Sequence, residues 1–124
     1  MLIDFAADGY RLLPLAAVGD HFIFGDNNNR TLVYSLSTGR QLAHAFGTPL
    51  DVTKSGSIVA IENDAGQIGL YSVPQLEKVD DLTFPSGVVF ARFSDDGTRL
   101  FVLTADQRAY TLTVSTDAKK SEGQ

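Results

Sequence analysis

The sequence feature that most constrains the fold is an internal repeat with a period near 40 residues. Across residues 48–84, four short apolar stretches are separated by three turns. The same order returns over residues 89–114, and it places Ser94 at 41 residues from Thr53. An upstream copy lies at residues 30–46. Each unit predicts short strands joined by hairpins rather than helices.

A repeat of this length with four strands per unit predicts an all-β fold of β-propeller blades, each a four-stranded antiparallel sheet. The chain has room for about three such blades. The composition agrees, because twelve Asp stand against three Glu, and Asp is common in hairpin turns. We divide the chain into blades at about residues 1–47, 48–85 and 86–115, followed by a disordered polar tail at 116–124.

Two segments carry a likeness to a known family: 93–100 (FSDDGTRL) and 33–40 (VYSLSTGR). They resemble hairpins of the WD-repeat family and its looser bacterial relatives of the YVTN type. The match is degenerate, because Tyr34, Tyr71 and Leu112 stand where the family has Trp, and its Gly-His pair is missing. The resemblance implies a WD-like propeller that binds proteins through its loops.

The N-terminal third allows two registers. In the first, 15–18 and 22–25 are the first two strands of a blade, and the lone strand 2–5 could complete the last blade. In the second, residues 4–13 match 92–101, which lie 88 residues downstream. We favour the second because its residue identity is higher, although it requires about ten extra residues before Arg30.

Three blades are fewer than the roughly four to eight that close a propeller. The chain is therefore expected to be half of a dimeric ring, a piece of a longer propeller, or an open stack with a partner. We expect the last blade to present an apolar surface partly to water. That surface comprises Phe90, Ala91, Phe93, Phe101 and Leu103.

No catalytic, cofactor or metal site is predicted. The sequence has no Cys, which excludes disulfides, thiolate metal ligands and a cysteine nucleophile. His21 and His44 are interpreted as turn and strand residues rather than as catalytic bases. Asp26 and Asn28 have the alternate spacing of a calcium loop, but we favour an Asx-type turn.

The charge and hydropathy patterns narrow the class of partner. A net charge of −5 with scattered Arg residues predicts no binding to nucleic acid. The apolar runs fall far short of the roughly 20 residues that a membrane helix needs, so we predict no membrane partner. No secretory signal is visible, and a cytoplasmic location is expected. A protein is then the predicted partner.

The predicted contact surface consists of the turns between the second and third strands of each blade, which should lie at one end of the sheets. We predict a non-catalytic protein-binding scaffold that acts through these loops. The alternative function is a C-terminal propeller fragment of a larger enzyme, a hydrolase or dehydrogenase whose catalytic residues lie elsewhere. The candidate contact residues are Asp26, Asn28, Arg30, Asp64, Gln67, Asp106 and Arg108.

Overall fold

The computed structural model describes residue 5 and residues 9–114, and these form three antiparallel sheets without helices. The all-β prediction is therefore confirmed. The predicted tail 116–124 and, apart from Phe5, the predicted lone strand lie outside the described residues. Over the described part of the chain, no helix has the length and apolar character to cross a membrane. The strands are β1 (Leu12–Val18), β2 (His21–Asp26), β3 (Arg30–Ser35), β4 (Gln41–Phe46), β5 (Thr48–Val52), β6 (Ile58–Glu62), β7 (Ile68–Ser72), β8 (Glu77–Leu82), β9 (Val88–Phe93), β10 (Arg99–Thr104) and β11 (Ala109–Thr113).

Each sheet is a meander in which strands that are neighbours in sequence pair with each other. Blade 1 is β1-β2-β3-β4, blade 2 is β5-β6-β7-β8, and blade 3 is β9-β10-β11. The first hairpins of blades 2 and 3 turn at Gly56 and Gly97, whose φ angles of 79° and 73° favour glycine. These two glycines are 41 residues apart, so the repeat seen in the sequence is also the repeat of the backbone.

The N-terminal register that we favour from the sequence is wrong, and the structure has the first two strands of the other register. β1 pairs with β2 directly, with Val18 opposite His21. Gly19, with φ of 58°, lies in the turn that joins them. The residues that the favoured register would treat as an insertion before Arg30 instead form the end of β1 and all of β2.

Blade 2 is covered on both sides because successive side chains of a strand point to opposite faces. On β6, Val59 and Ile61 pack against Ile23 and Val33 of blade 1. The alternate residues of β6, Ile58 and Ala60, face blade 3, where they belong to a second buried cluster with Leu100 and Val102. Blade 2 therefore holds the other two blades together through two separate apolar interfaces.

Blade 3 differs from the others in its outer strand and in one of its faces. The described residues contain no fourth strand beside β11. The side chains of Phe90 and Phe101 are 43% and 41% exposed. Ala91 is buried and Phe93 is partly buried, and both pack with the cluster shared with blade 2. The predicted apolar surface is therefore wrong for Ala91 and Phe93, because alternate residues of a strand face opposite sides. The side that no other blade covers is here called the free side of blade 3, and it comprises Phe90, Arg92, Phe101 and Leu103.

Candidate functional site: the turns at one end of the sheets

The predicted contact loops lie at one end of the three sheets, as the topology requires. In an antiparallel meander the second-to-third-strand turn and the connection to the next sheet share an end. The backbone shows this directly, because the Gly47 amide donates to the Asn29 carbonyl at 2.8 Å and the Ala105 amide to the Gly87 carbonyl at 2.7 Å. We call this end the turn face; it comprises residues 27–29, 63–67 and 105–108 together with the connections at 47 and 83–87.

Asp26 shapes the β2–β3 turn from beneath it. Asp26 is 3% exposed, and its Oδ1 accepts hydrogen bonds from the amides of Asn28 at 3.0 Å and Arg30 at 3.2 Å. Its Oδ2 accepts from Nη2 of Arg30 at 2.7 Å. Burial alone would raise the pKa of this carboxyl, but the hydrogen bonds from Arg30 and the Asn28 amide hold its pKa below the usual value.

This arrangement confirms the Asx-type turn and corrects one candidate contact residue. The Asp26 carboxylate is enclosed and fully occupied by its own turn, so it is not presented to a partner. Asn28 remains exposed above it, while Arg30 is half-buried and paired with Asp26.

The β6–β7 turn has the same construction, with Asn63 in the place of Asp26. The side-chain Oδ1 of Asn63 accepts from the amides of Ala65 at 2.9 Å and Gln67 at 3.0 Å. Asp64 is therefore one position beyond the residue equivalent to Asp26, and it is exposed. Gln67 is exposed as well; its Nε2 donates to the Thr83 hydroxyl at 3.4 Å, and its Oε1 accepts from Nδ2 of Asn63 at 3.0 Å.

The β10–β11 turn places Thr104 at the equivalent position. The Thr104 hydroxyl donates to the carboxylate of Asp106. Arg108 pairs with Asp106 at 3.5 Å between Nε and Oδ2, and both residues are exposed. An exposed pair of this kind contributes about 0–1 kcal/mol, so its charges are available to other groups at little cost. The candidate contact residues Asp26, Asp64 and Asp106 thus occupy three different positions in their turns.

A pocket of about 400 Å³ between blades 1 and 2 is the part of the turn face that sequence reasoning missed. Two side-chain hydrogen bonds cross it: Asn29 Nδ2 donates to Oδ1 of Asp64 at 2.6 Å, and the Thr48 hydroxyl donates to Oδ1 of Asn29 at 2.9 Å. The run of three Asn at 27–29 was the available signal in the sequence. The pocket is lined by Asn28, Asn29, Phe46, Gly47, Asn63, Asp64 and Ala65.

Among the described hydrogen bonds, none joins His21 or His44 to a carboxylate. The carboxylate beside His21, that of Asp20, accepts from the Ser35 hydroxyl at 2.8 Å and the Ser37 amide at 2.7 Å. His44 lies exposed on the outer strand of blade 1, with its ring 6.3 Å from that of Phe46. Within residues 9–114, no group of three or more acidic, His or Cys side chains is placed to hold a metal ion.

Comparison with solved structures identifies the architecture. The C-terminal WD40 domain of Sif2 matches with a TM-score of 0.67 and 14% identity over 77% of this chain and 31% of that domain. The β-propeller domain of Cps50 (Swd1) from Myceliophteria thermophila matches with a TM-score of 0.68 and 17% identity over 84% of this chain and 38% of that one. The chain has the fold of WD40 β-propeller blades.

Other comparisons set the scope of that statement. A chain of a mitotic checkpoint complex matches this WD40-type fold with a TM-score of 0.64 and 14% identity, over 82% of this chain and 36% of that one. The chain therefore spans about a third of each of these three solved structures, from 31% to 38%. No family model and no curated protein matches the sequence.

Proposed function

We propose that this chain is a non-catalytic protein-binding scaffold module that contacts its partner through the turn face. The observation that carries the proposal is the gathering of exposed polar side chains at one end of a rigid stack of sheets. Exposed loops on a rigid scaffold can bind different partners without changes in the strands. The proposed contact residues are Asn28, Arg30, Asp64, Gln67, Asp106 and Arg108, of which Arg30 is half-buried.

The chemistry of these side chains favours a protein as partner. They combine carboxylate, amide and guanidinium groups, which can form hydrogen bonds and ion pairs with a polar protein surface. One propeller with this fold is part of a mitotic checkpoint complex, an assembly of several proteins by its name. The scattered Arg residues and the net charge of −5 oppose binding to a nucleic-acid backbone.

Charge reversal on the turn face tests this function. The double variant Asp64→Lys/Asp106→Lys changes two exposed carboxylates on neighbouring turns, and we expect it to abolish capture of the partner from a cell extract. Asp95→Lys is the matched control, because it reverses an exposed carboxylate in the turn at the opposite end. Capture that survives the double variant, with its unfolding free energy unchanged, would contradict a shared contact surface.

We also propose that a second copy of the chain covers the free side of blade 3 and completes a ring. Blade 2 supports this, because both of its sides are covered by blades of the same repeat. Closed symmetric assemblies are the usual form of soluble oligomers. The competing proposal is a C-terminal fragment of a larger hydrolase or dehydrogenase. The coverage of about a third of these two propellers supports a piece of a longer propeller, but it does not point to an enzyme.

A further inference from the structure

We propose that the pocket between blades 1 and 2 binds an arginine side chain of a protein partner. The inference rests on the proposed function, because it names the partner's chemistry at one place on the turn face. The pocket combines a carboxylate, several amides and an exposed aromatic ring within about 400 Å³. These groups match the planar, charged and multiply hydrogen-bonding guanidinium.

The pocket is held in shape before any ligand binds. Asn29 has φ of 59°, and both ends of its side chain are engaged, by Asp64 on one side and Thr48 on the other. Gly47 has φ of 122°, and a Cβ built there would lie 2.5 Å from Cγ2 of Ile61. The backbone at Gly47 is thus packed directly on blade 2. A ligand therefore meets fixed walls and does not have to order them.

Asp64 supplies the charge that selects a cation. It is the one ionisable side chain among the described lining residues. Its Oδ1 accepts from Asn29 at 2.6 Å, and within the described residues Oδ2 has no hydrogen-bond donor. Arg30, which follows the lining residue Asn29 in the sequence, is held by Asp26 at 2.7 Å and so does not occupy this carboxylate. The net charge of −5 adds a long-range attraction for a basic partner.

Phe46 supplies a surface for the flat part of the ligand. Its side chain is 73% exposed, the largest value among the exposed large hydrophobic residues described. A guanidinium stacks on such a ring through cation–π attraction while its edge remains free for hydrogen bonds. The exposed Asn28 side chain offers a further oxygen acceptor among the lining residues. Arginine can therefore use the ring and the carboxylate together.

The first measurement is an NMR titration of the full chain with N-acetyl-arginine amide as the probe. We expect saturable shifts of the Gly47 and Asp64 backbone amides and of the Asn29 side-chain amide. N-acetyl-citrulline amide is the matched ligand, because it has the same shape without the charge. We expect it to bind about tenfold more weakly. Equal shifts with both ligands, or shifts that never saturate, would overturn the proposal.

Two variants then test the two walls of the pocket. Asp64→Asn retains an oxygen that can accept from Asn29 but removes the charge, and we expect it to weaken arginine binding about tenfold. Phe46→Leu removes the aromatic ring at an exposed site, and we expect a loss of about threefold. Asp95→Asn, at the opposite end, is the control and should leave the affinity unchanged. Arginine binding that is insensitive to Asp64→Asn would overturn the proposal.

The outcomes also separate this inference from the proposed function. If the arginine probe does not bind but partner capture is still lost in Asp64→Lys/Asp106→Lys, the arginine pocket is wrong and the scaffold function stands. If neither binding nor capture depends on these residues, both are wrong. A methyl glycoside that shifts the same amides, with sensitivity to Phe46→Leu but not to Asp64→Asn, would replace the arginine ligand by a carbohydrate.

Discussion

Blades 2 and 3 share one repeat and one strand order, but they differ in how much of their surface is covered. Ala60 and Leu70 of blade 2 are at most 1% exposed, because blade 3 packs on that side. The residues 41 positions later, Phe101 and Thr111, lie on the free side of blade 3 and are exposed. The two blades therefore have the same backbone repeat, while the exposure of the side chains on each face depends on whether another blade covers that face.

The equivalent residues of blades 2 and 3 differ in type where the face of blade 3 is not covered. Leu70 becomes Thr111 and Ile68 becomes Ala109, so the outer part of the face loses apolar volume in blade 3. Phe101 stays aromatic and lies with its ring 6.1 Å from that of Phe90. A face of mixed polar and aromatic residues is typical of interfaces that form and separate, whereas buried aliphatic clusters are typical of a permanent core.

The largest expected effect comes from removing apolar volume on the covered side. Leu70→Ala should lower the free energy of unfolding by about 2–5 kcal/mol, because it deletes a side chain that is 1% exposed and leaves a cavity. Phe101→Ala, measured in dilute monomer, should cost less than about 1 kcal/mol because that ring is 41% exposed. Chemical denaturation of the two variants gives the comparison, and equal losses would contradict the difference in coverage.

The same position tests the ring that we propose. If a second copy covers Phe101, light scattering should give a mass of twice 13.4 kDa for the unchanged chain. Phe101→Arg should return that mass to 13.4 kDa, because it places a charge in the interface. A stable monomer of the unchanged chain would rule out the dimeric ring.

A second test compares the equivalent turn glycines Gly56 and Gly97. Both have positive φ, so alanine at either site should cost about 1–2 kcal/mol in backbone strain. At Gly56 the new Cβ would also lie 2.7 Å from Cγ1 and 2.8 Å from Cβ of Val18 in blade 1. At Gly97 the nearest atom is Cγ2 of Thr53 at 3.5 Å, an ordinary contact.

We therefore expect Gly56→Ala to cost about 3 kcal/mol and Gly97→Ala about 1 kcal/mol, since the clash adds about 1–3 kcal/mol of overpacking. Thermal and urea unfolding of both variants measure the difference. A larger loss of unfolding free energy for Gly97→Ala than for Gly56→Ala would contradict the close contact of Val18 in blade 1 with the blade 2 turn.

Much of the fold was predictable because the repeat and the turn residues act locally. The short strands predicted over residues 89–114 are observed as β9, β10 and β11, because apolar residues alternate there between polar turns. The N-terminal register could not be predicted in this way. Residue identity between 4–13 and 92–101 favours one register, whereas the observed register depends on the pairing of β1 with β2. Which strands pair is decided in the folded sheet, and residue identity between two segments says little about it.

The candidate site was predictable in its location but not in its details. Counting strands places the loops at one end, and the topology confirms that location. Asp64 does not take the place of Asp26 in its turn, because the turn needs an oxygen acceptor and Asn63, one residue earlier, supplies it. The pocket depends on Asn29 reaching across to Asp64, a contact between blades that no spacing within one blade can predict.

The smallest expected effect is a pH dependence that blade 3 has and blade 2 lacks at the same turn position. Asp96 accepts from the Thr98 amide at 3.0 Å and from the Ser94 and Thr98 hydroxyls at 2.7 and 2.8 Å, which lowers its pKa to about 2. The residue 41 positions earlier, Ser55, carries no charge. Because its pKa is lower in the folded state, Asp96 stabilises the fold above the unfolded pKa near 3.9.

That contribution should disappear as the pH falls through about 2, where the folded carboxylate takes up a proton. Asp96→Ser gives blade 3 the residue of blade 2, so it should be less stable than the unchanged chain at pH 7. The gap should narrow between about pH 4 and pH 2, because the unchanged chain then loses the Asp96 charge, which the variant does not have. Asp95→Ser, which removes the neighbouring carboxylate that has no described hydrogen bond, is the control for the change in net charge. A gap of constant size across this range would mean that the Asp96 hydrogen bonds do not distinguish the two turns, and that blade 3 differs from blade 2 in its coverage alone.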